Sequence, residues 1–286
     1  MSGGFDLGPS RALTAPMGEL SRERGAMEDG RIHVLMSLFD IYNENEPDQP
    51  SHTIAEYLLT HFESIGSMTF QEVMDAGFVS RSGVRRFCQS IGMENFSALR
   101  NQAGEWEEFR HYYLAAASSP QDYKMPPRQA MVEIFDSVDK LQQDGVLQRL
   151  SQRASASSKV VLFSAESSAG AMTDFQYAML VSGKLVQLVT ECKPSVEAVR
   201  SLGPQDLLLV VSSSGSFALR QRALVESSGA TKVLVTANDE PELHASYDEV
   251  ILMGPPLAEH VAPHRVYALF GTAYLMNRLL EDYVSE

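Results

Sequence analysis

VSRSGVRRFCQSIG, running from Val79 to Gly92, places Arg81, Arg85 and Arg86 within about two helical turns of a half-chain that contains no lysine. Upstream, Thr69-Phe70-Gln71-Glu72 has the spacing of a capping box that opens a short helix. Gly77 then marks a break, and Ser80 or Ser82 is placed to cap the next helix. Val73, Val84, Phe87 and Ile91 form an apolar stripe that would pack the second helix on the first. A helix, a tight turn and a second helix with a basic outer face is the plan of a helix-turn-helix, in which the second helix enters a DNA groove. An αα-hairpin with solvated arginines is the competing reading of the same residues.

Charge sharpens the question. The chain carries a formal net charge of −14, which opposes nonspecific attraction to nucleic acid. Before Ser118 there are 9 basic residues, all arginine, against 17 acidic ones, so this half is itself net −8. Between Ser80 and Arg100, however, four arginines face the single Glu94. A basic stripe on an acidic body can bind double-stranded DNA, and pairing two modules on one site would offset the weak long-range attraction.

With 286 residues there is room for two domains, each burying a core. No apolar run reaches membrane-spanning length, and the N-terminus lacks the order of a signal peptide. Cys88 and Cys192 are the only cysteines and lie far apart, which predicts reduced thiols and a cytoplasmic protein. Cys88, beside Phe87, is read as a packing residue.

Four stretches are expected. Residues 1–29, rich in Gly, Ser, Pro and charge, read as a disordered tail. Residues 30–117 read as an all-α DNA-binding domain, with helices over Ile32–Tyr42 and Ile54–Phe62 and a last helix carrying Trp106, Phe109 and Tyr113. Residues 118–129, punctuated by prolines, read as a linker. In 130–286, short apolar runs at Val160–Phe163, Leu185–Val189, Leu207–Val211, Val233–Thr236 and Val250–Leu252 alternate with helical stretches such as Ala171–Ser182 and Phe217–Ser228. Continuous apolar strands separated by helices predict an α/β/α sandwich on a parallel sheet.

The most chemical element of this second half is Ser212-Ser213-Ser214-Gly215-Ser216, which follows a buried strand and leads into a helix. Hydroxyls and free N–H groups at such a turn make an anion site, and Gly215 lets the backbone approach a ligand. A serine-rich cap with no ligand is the alternative.

Glu72-Val73-Met74 through Val79-Ser80, then Val84, Arg86-Phe87-Cys88, Ile91-Gly92 and Asn95-Phe96, resemble the N-terminal domain of RpiR/MurR-type transcription regulators over roughly Ile32 to Asn101. The Val-Ser-x-Ser-Gly pattern after a buried strand, with Gly229-Ala230 and a strand ending at Thr236, resembles a SIS (sugar isomerase) domain. Together they imply a cytoplasmic regulator whose five-stranded SIS domain senses a phosphosugar-like effector and assembles a homodimer or homotetramer. The resemblance places Arg81, Ser82, Arg85 and Arg86 at DNA, Ser212 to Ser216 in the phosphate loop, and Ser168 in the other ligand loop. Arg86 has a structural alternative, pairing with Glu72.

The match has departures. Gly83 and Met74 stand where the family prefers Thr and a small residue, and Phe217 follows the serine loop in place of a small hydroxylic residue. The first ligand loop reads Ser164-Ala165-Glu166-Ser167-Ser168 and lacks the family's two glycines. Glu166 disfavours a phosphate at close range and suits an amine, so the expectation is an altered effector such as an amino-sugar derivative. A SIS domain serving only as an oligomerisation platform is one alternative. A SIS-fold sugar-phosphate isomerase with an accessory helical domain is the other. Its candidate bases are Glu166, His244, His260 and His264. Pro263 separates the last two histidines and argues against a metal pair on a helix. Neither metal, cofactor, catalytic residue nor membrane contact is expected. Arg265, in the first turn of the terminal helix, is placed either to help close the ligand pocket or to form a surface ion pair.

Overall fold

A computed structural model describes residues 34–118, 125–191, 195–254 and 264–285. The expected tail, positions 119–124 of the expected linker, Cys192, His260 and Pro263 lie outside the described residues.

The helical part begins with α1 (Val34–Glu44) and α2 (Pro50–Thr60), α2 starting where Pro50 supplies a preset φ at its first turn. Phe62, expected inside that helix, instead opens a 3₁₀ turn at Phe62–Ser64, and its ring is fully buried. Then come α3 (Phe70–Ala76), α4 (Arg81–Ser90), α5 (Phe96–Arg100) and α6 (Gly104–Ser118). Val73, Val84, Phe87 and Ile91, the apolar stripe read from the sequence, all enter one core with Leu38, Leu58, Phe62 and Leu99. Glu105 closes this core from α6: its carboxylate accepts hydrogen bonds from the Val34 and Leu35 N–H groups, each at 2.9 Å. A carboxylate at the first N–H groups of α1 satisfies donors that the helix itself cannot.

After α7 (Pro127–Gln143) and α8 (Val146–Ala156), β1 (Val160–Ser164) enters the sheet. A 3₁₀ turn at Glu166–Ser168 leads into α9 (Ala169–Val181), followed by β2 (Gln187–Thr190), α10 (Val196–Arg200) and β3 (Leu207–Val211). Next are α11 (Ser216–Arg220), α12 (Arg222–Glu226), β4 (Thr231–Thr236), α13 (Pro241–His244) and β5 (Glu249–Leu252). The terminal stretch runs from α14 (His264–Val266) through a π-turn at Tyr267–Gly271 into α15 (Thr272–Val284).

The five strands are all parallel, in the order β2-β1-β3-β4-β5. Alternate residues of one strand serve opposite faces, as the two-residue period requires. Leu207, Leu209 and Val211 meet α7, α8, α9 and α15, whereas Leu208 and Val210 meet α10 to α13. The expected architecture, a helix-turn-helix module followed by a three-layer sandwich on a five-stranded parallel sheet, is the one observed.

One expected helix differs. Phe217–Ser228 is broken at Gln221 into α11 and α12. The break lets both short helices lay apolar residues on the same sheet face, Phe217 and Ala218 from one and Val225 from the other. The described residues belong to one compact unit.

Candidate DNA-binding face and effector crevice

The capping box at Thr69 is complete. The Thr69 hydroxyl accepts from the Glu72 N–H, and the Glu72 carboxylate accepts from the Thr69 N–H at 2.6 Å. Those contacts and the Thr69 hydroxyl hold the Glu72 carboxyl below the usual carboxylate range. With Glu72 engaged in this cap, the alternative partner for Arg86 is not observed. Ser80, rather than Ser82, caps α4, its hydroxyl accepting from the Gly83 N–H at 3.3 Å. Ser82 Oγ lies 2.8 Å from the Ser80 hydroxyl.

Val84, Phe87 and Cys88 face inward on α4, which leaves Arg81, Ser82, Arg85 and Arg86 exposed on the other side. Among the described residues, none of these arginines joins an ion pair; Arg81 instead lies 5.1 Å over the Phe70 ring. The fourth arginine of the basic run has a different role. Arg100 Nε and Nη2 donate to the Gly66 carbonyl at 3.0 and 2.7 Å, tying α5 to the loop before α3.

Gly83 has a steric reason. A Cβ there would stand 3.0 Å from Val79 Cβ, so the bare residue lets the turn close on α4. The propensity cost expected from sequence is therefore set against a close approach.

At the carboxyl ends of the strands, β1 and β3 are neighbours whose following chains leave in opposite senses, one towards β2 and one towards β4. This is the topological switch point at which open α/β sheets bind ligands. The loops after β1 and β3, which hold the sequence-derived candidates Glu166, Ser168 and Ser212 to Ser216, converge there. Their junction is the hydrogen bond from the Ala165 N–H to the Val211 carbonyl, 3.1 Å.

The residues brought together have unequal freedom. Ser212 and Ser213 are buried; the Ser212 hydroxyl accepts from the Ala218 N–H, and the Ser213 carbonyl accepts from the Ala237 N–H. Gly215 has φ 79°, and a Cβ there would stand 2.8 Å from Leu243, so glycine is required for shape and backbone alike. Ser214 is half-buried and Ser216 exposed, which makes theirs the hydroxyls presented outward. Ser168 is buried, and its hydroxyl reaches the Ala268 carbonyl and the Thr272 hydroxyl, both at 3.3 Å. Its observed contacts fasten the first loop to the terminal helix. Because α11 is five residues long, the fixed charge expected from a long helix N-terminus shrinks, and hydroxyls carry more of the site's polarity.

The sequence reading missed several neighbours. Glu191, at the end of β2, accepts from the Glu166 N–H and pairs with Arg220 of α11. Asn238 donates to the Ser214 carbonyl at 3.0 Å. These residues lie on separate loops and have no local pattern in the chain. The Tyr112 hydroxyl, just past the middle of α6, lies buried beside Ser167 with no hydrogen bond of full geometry. Glu166 Oε2 is likewise buried without a partner. The Arg265 guanidinium lies 5.1 Å over the Tyr113 ring.

Of the histidines considered as bases, His244 pairs with Asp239 at 2.7 Å. The chain enters α14 at His264, directly after Pro263. No group of three or more potential metal ligands occurs among the described residues. Nor is any helix among them long and apolar enough to cross a membrane.

Residues 42–105 match a family model described as the helix-turn-helix domain of the rpiR family. That segment is similar to rpiR-type helix-turn-helix domains. The curated proteins contain no match to the chain. Among solved structures, similarity extends to Vibrio vulnificus NanR complexed with ManNAc-6P, at 16% identity and a TM-score of 0.44, over 88% of this chain and 91% of that one. The sugar isomerase domain of an RpiR transcription factor from Sphaerobacter thermophilus is similar at 15% identity and a TM-score of 0.43, over 56% of this chain and 89% of its own. A Methanococcus jannaschii protein inferred to be a 3-hexulose-6-phosphate isomerase is similar at 14% identity and 0.44, over 54% and 86%. Similarity at this level carries no functional weight.

Proposed function

With the similarity of residues 42–105 to rpiR-type helix-turn-helix domains as the premise, we propose that this chain is a DNA-binding transcription regulator whose sandwich domain senses a small sugar phosphate or amino-sugar derivative. The observation that carries the reading is the outer face of α4, where Arg81, Ser82, Arg85 and Arg86 stand exposed on a doubly capped helix-turn-helix. Arginines on such a face reach phosphates and base edges in a major groove. The chain divides functionally into a tail at 1–29, the DNA-binding module at 30–117, a linker at 118–129 and the sensing domain at 130–286.

The effector's place is the switch-point crevice, with Ser214 and Ser216 as outward hydroxyls and Glu166 disposed towards a hydroxyl or amine. An effector shifts the regulator by binding two arrangements of the DNA-binding modules unequally. A second copy fits the exposed apolar run of Tyr177, Leu180, Val181 and Leu185 at the end of α9 and before β2. A homo-oligomer presenting two modules would offset the acidic body. The buried engagement of Ser168 with α15 favours a second reading, in which the sandwich is an assembly platform without an effector.

Selection of bound fragments from random duplex DNA, followed by titration, tests the function. The wild type should retain one sequence class, and replacing Arg81 and Arg85 with Ala should abolish that retention while the chain stays folded. Retention undiminished in the double variant overturns the assignment. Thermal unfolding against a panel of sugar phosphates separates the two sandwich readings, because a ligand that binds only the folded state raises its midpoint. A shift lost in Ser214→Ala supports the sensor; the absence of any shift supports the platform.

A further inference from the structure

Two buried polar atoms without a hydrogen bond of full geometry lie at the loop that follows β1. Glu166 Oε2 belongs to the first loop, and the Tyr112 hydroxyl lies beside Ser167, the next residue of that loop. Buried polar groups in folded proteins are almost always paired, so two such atoms at one loop call for a specific explanation. They come from different parts of the chain: Tyr112 sits on α6, the helix that leaves the DNA-binding module, and Glu166 follows β1 of the sheet.

Helix α6 is anchored at both ends. At its start Glu105 holds the N–H groups of Val34 and Leu35 in the helix-turn-helix core. Towards its end the Tyr113 ring is covered by the Arg265 guanidinium from α14. Tyr112 is thereby set on the Glu166–Ser168 loop by a helix whose other end belongs to the core beneath the DNA-reading face. Burial raises the Tyr112 hydroxyl above the usual phenol range; the neighbouring Ser167 side chain opposes this most, and the Arg265 guanidinium opposes it more weakly.

We propose that Tyr112 is a binding residue of the effector site, so that a hydroxyl or amine of the bound sugar bridges the Tyr112 hydroxyl and the Glu166 carboxylate and ties α6 to the sheet. This deepens the effector reading and rests on it. A phenol offers one donor and acceptor, and a carboxylate offers acceptors only. A sugar hydroxyl or ammonium group donates to the carboxylate, and the phenol bonds a second polar atom of the same ligand. Arg265 holds the tyrosine-bearing helix in place and supplies positive charge on the side where an anionic substituent would lie. Effector binding then changes the attachment of α6, and through Glu105 it reaches α1 and the core under α4.

Tyr112→Phe removes the hydroxyl and keeps the ring. Without a ligand, its unfolding midpoint should equal or exceed that of the wild type, because an unpaired buried hydroxyl contributes no bond to lose. A clear fall in midpoint would mean that the hydroxyl already has a structural partner, and would overturn the proposal. The second arm titrates the full chain with glucosamine 6-phosphate, glucose 6-phosphate and N-acetylmannosamine 6-phosphate, reading the fluorescence of Trp106, the single tryptophan, which lies on α6. Wild-type protein should respond to at least one sugar, with apparent affinity at least about tenfold weaker in Tyr112→Phe. Equal affinity in the two proteins overturns the proposal, and so does silence of the wild type to all three sugars. If the sugar response depends on Tyr112 while the wild type retains no DNA, the binding residue stands and the regulator reading falls.

Discussion

Gly77 stands so close to Ile54 that a Cβ built on it would lie 2.4 Å from Ile54 Cγ1, well inside contact distance. The glycine is needed for this approach and not for its dihedrals, since its φ is −86°. The end of α3 therefore rests directly on α2, and that contact sets where the turn before α4 begins. Gly77→Ala should destabilise the helical module by about 1–3 kcal/mol, the usual cost of forcing a methyl into a filled core. Chemical denaturation of the variant checks it.

The next residue is under the opposite stress. Phe78 holds φ 50° and is 93% exposed, so a bulky side chain occupies a left-handed turn position with almost no burial to compensate. That conformation costs an ordinary residue about 1–2 kcal/mol, and Asn tolerates it better. Phe78→Asn should raise the melting temperature by a few degrees. A lowered midpoint would show that the ring contributes more to the fold than its exposure indicates.

Glu105 serves two N–H groups with one buried carboxylate. Glu105→Ala leaves both donors of α1 without that partner and should cost about 2–4 kcal/mol, from the loss of two charge-assisted bonds. Glu105→Gln keeps one acceptor and should fall between the two. Hydrogen exchange at Val34 and Leu35 gives the local readout, with faster exchange expected in both variants.

Burial pushes the Cys88 thiol up to about 11. The folded state therefore favours the neutral thiol. Its contribution to stability is fully present below the ordinary thiol pKa and is lost as pH rises from there through about 11. With Cys192 replaced by Ser, alkylation of the native chain at pH 8 should be slow and limited by opening, becoming rapid once denaturant unfolds the protein. Rapid native labelling would contradict the buried placement.

Much of the fold was legible in the chain because it is written in short-range patterns. The capping box at Thr69 and Glu72, the Ser80 cap and the break at Gly77 all act within four residues, the reach of a helical turn. The strands were legible because both faces of a parallel sheet are covered, which makes runs such as Leu207–Val211 continuously apolar. The site was less legible. Ser212 to Ser216 announced a polar turn, yet nothing local distinguished the buried Ser212 and Ser213 from the outward Ser214 and Ser216. Nor did it show that Ser168 would turn towards Thr272. Arg100 looked like part of the basic stripe until its guanidinium was found on the Gly66 carbonyl.

By itself, the sequence determined the helix-turn-helix, the basic face of α4, the five apolar strands and the serine turn, because hydrogen-bonding caps and burial periodicity are local properties of a chain. The tertiary structure alone decided the strand order that puts the loops after β1 and β3 side by side, and the break that shortens α11. It alone brought Arg220 to Glu191 and Tyr112 to Ser167. Those relationships depend on which surfaces exclude water together once distant segments pack, and no residue's neighbours in sequence record them.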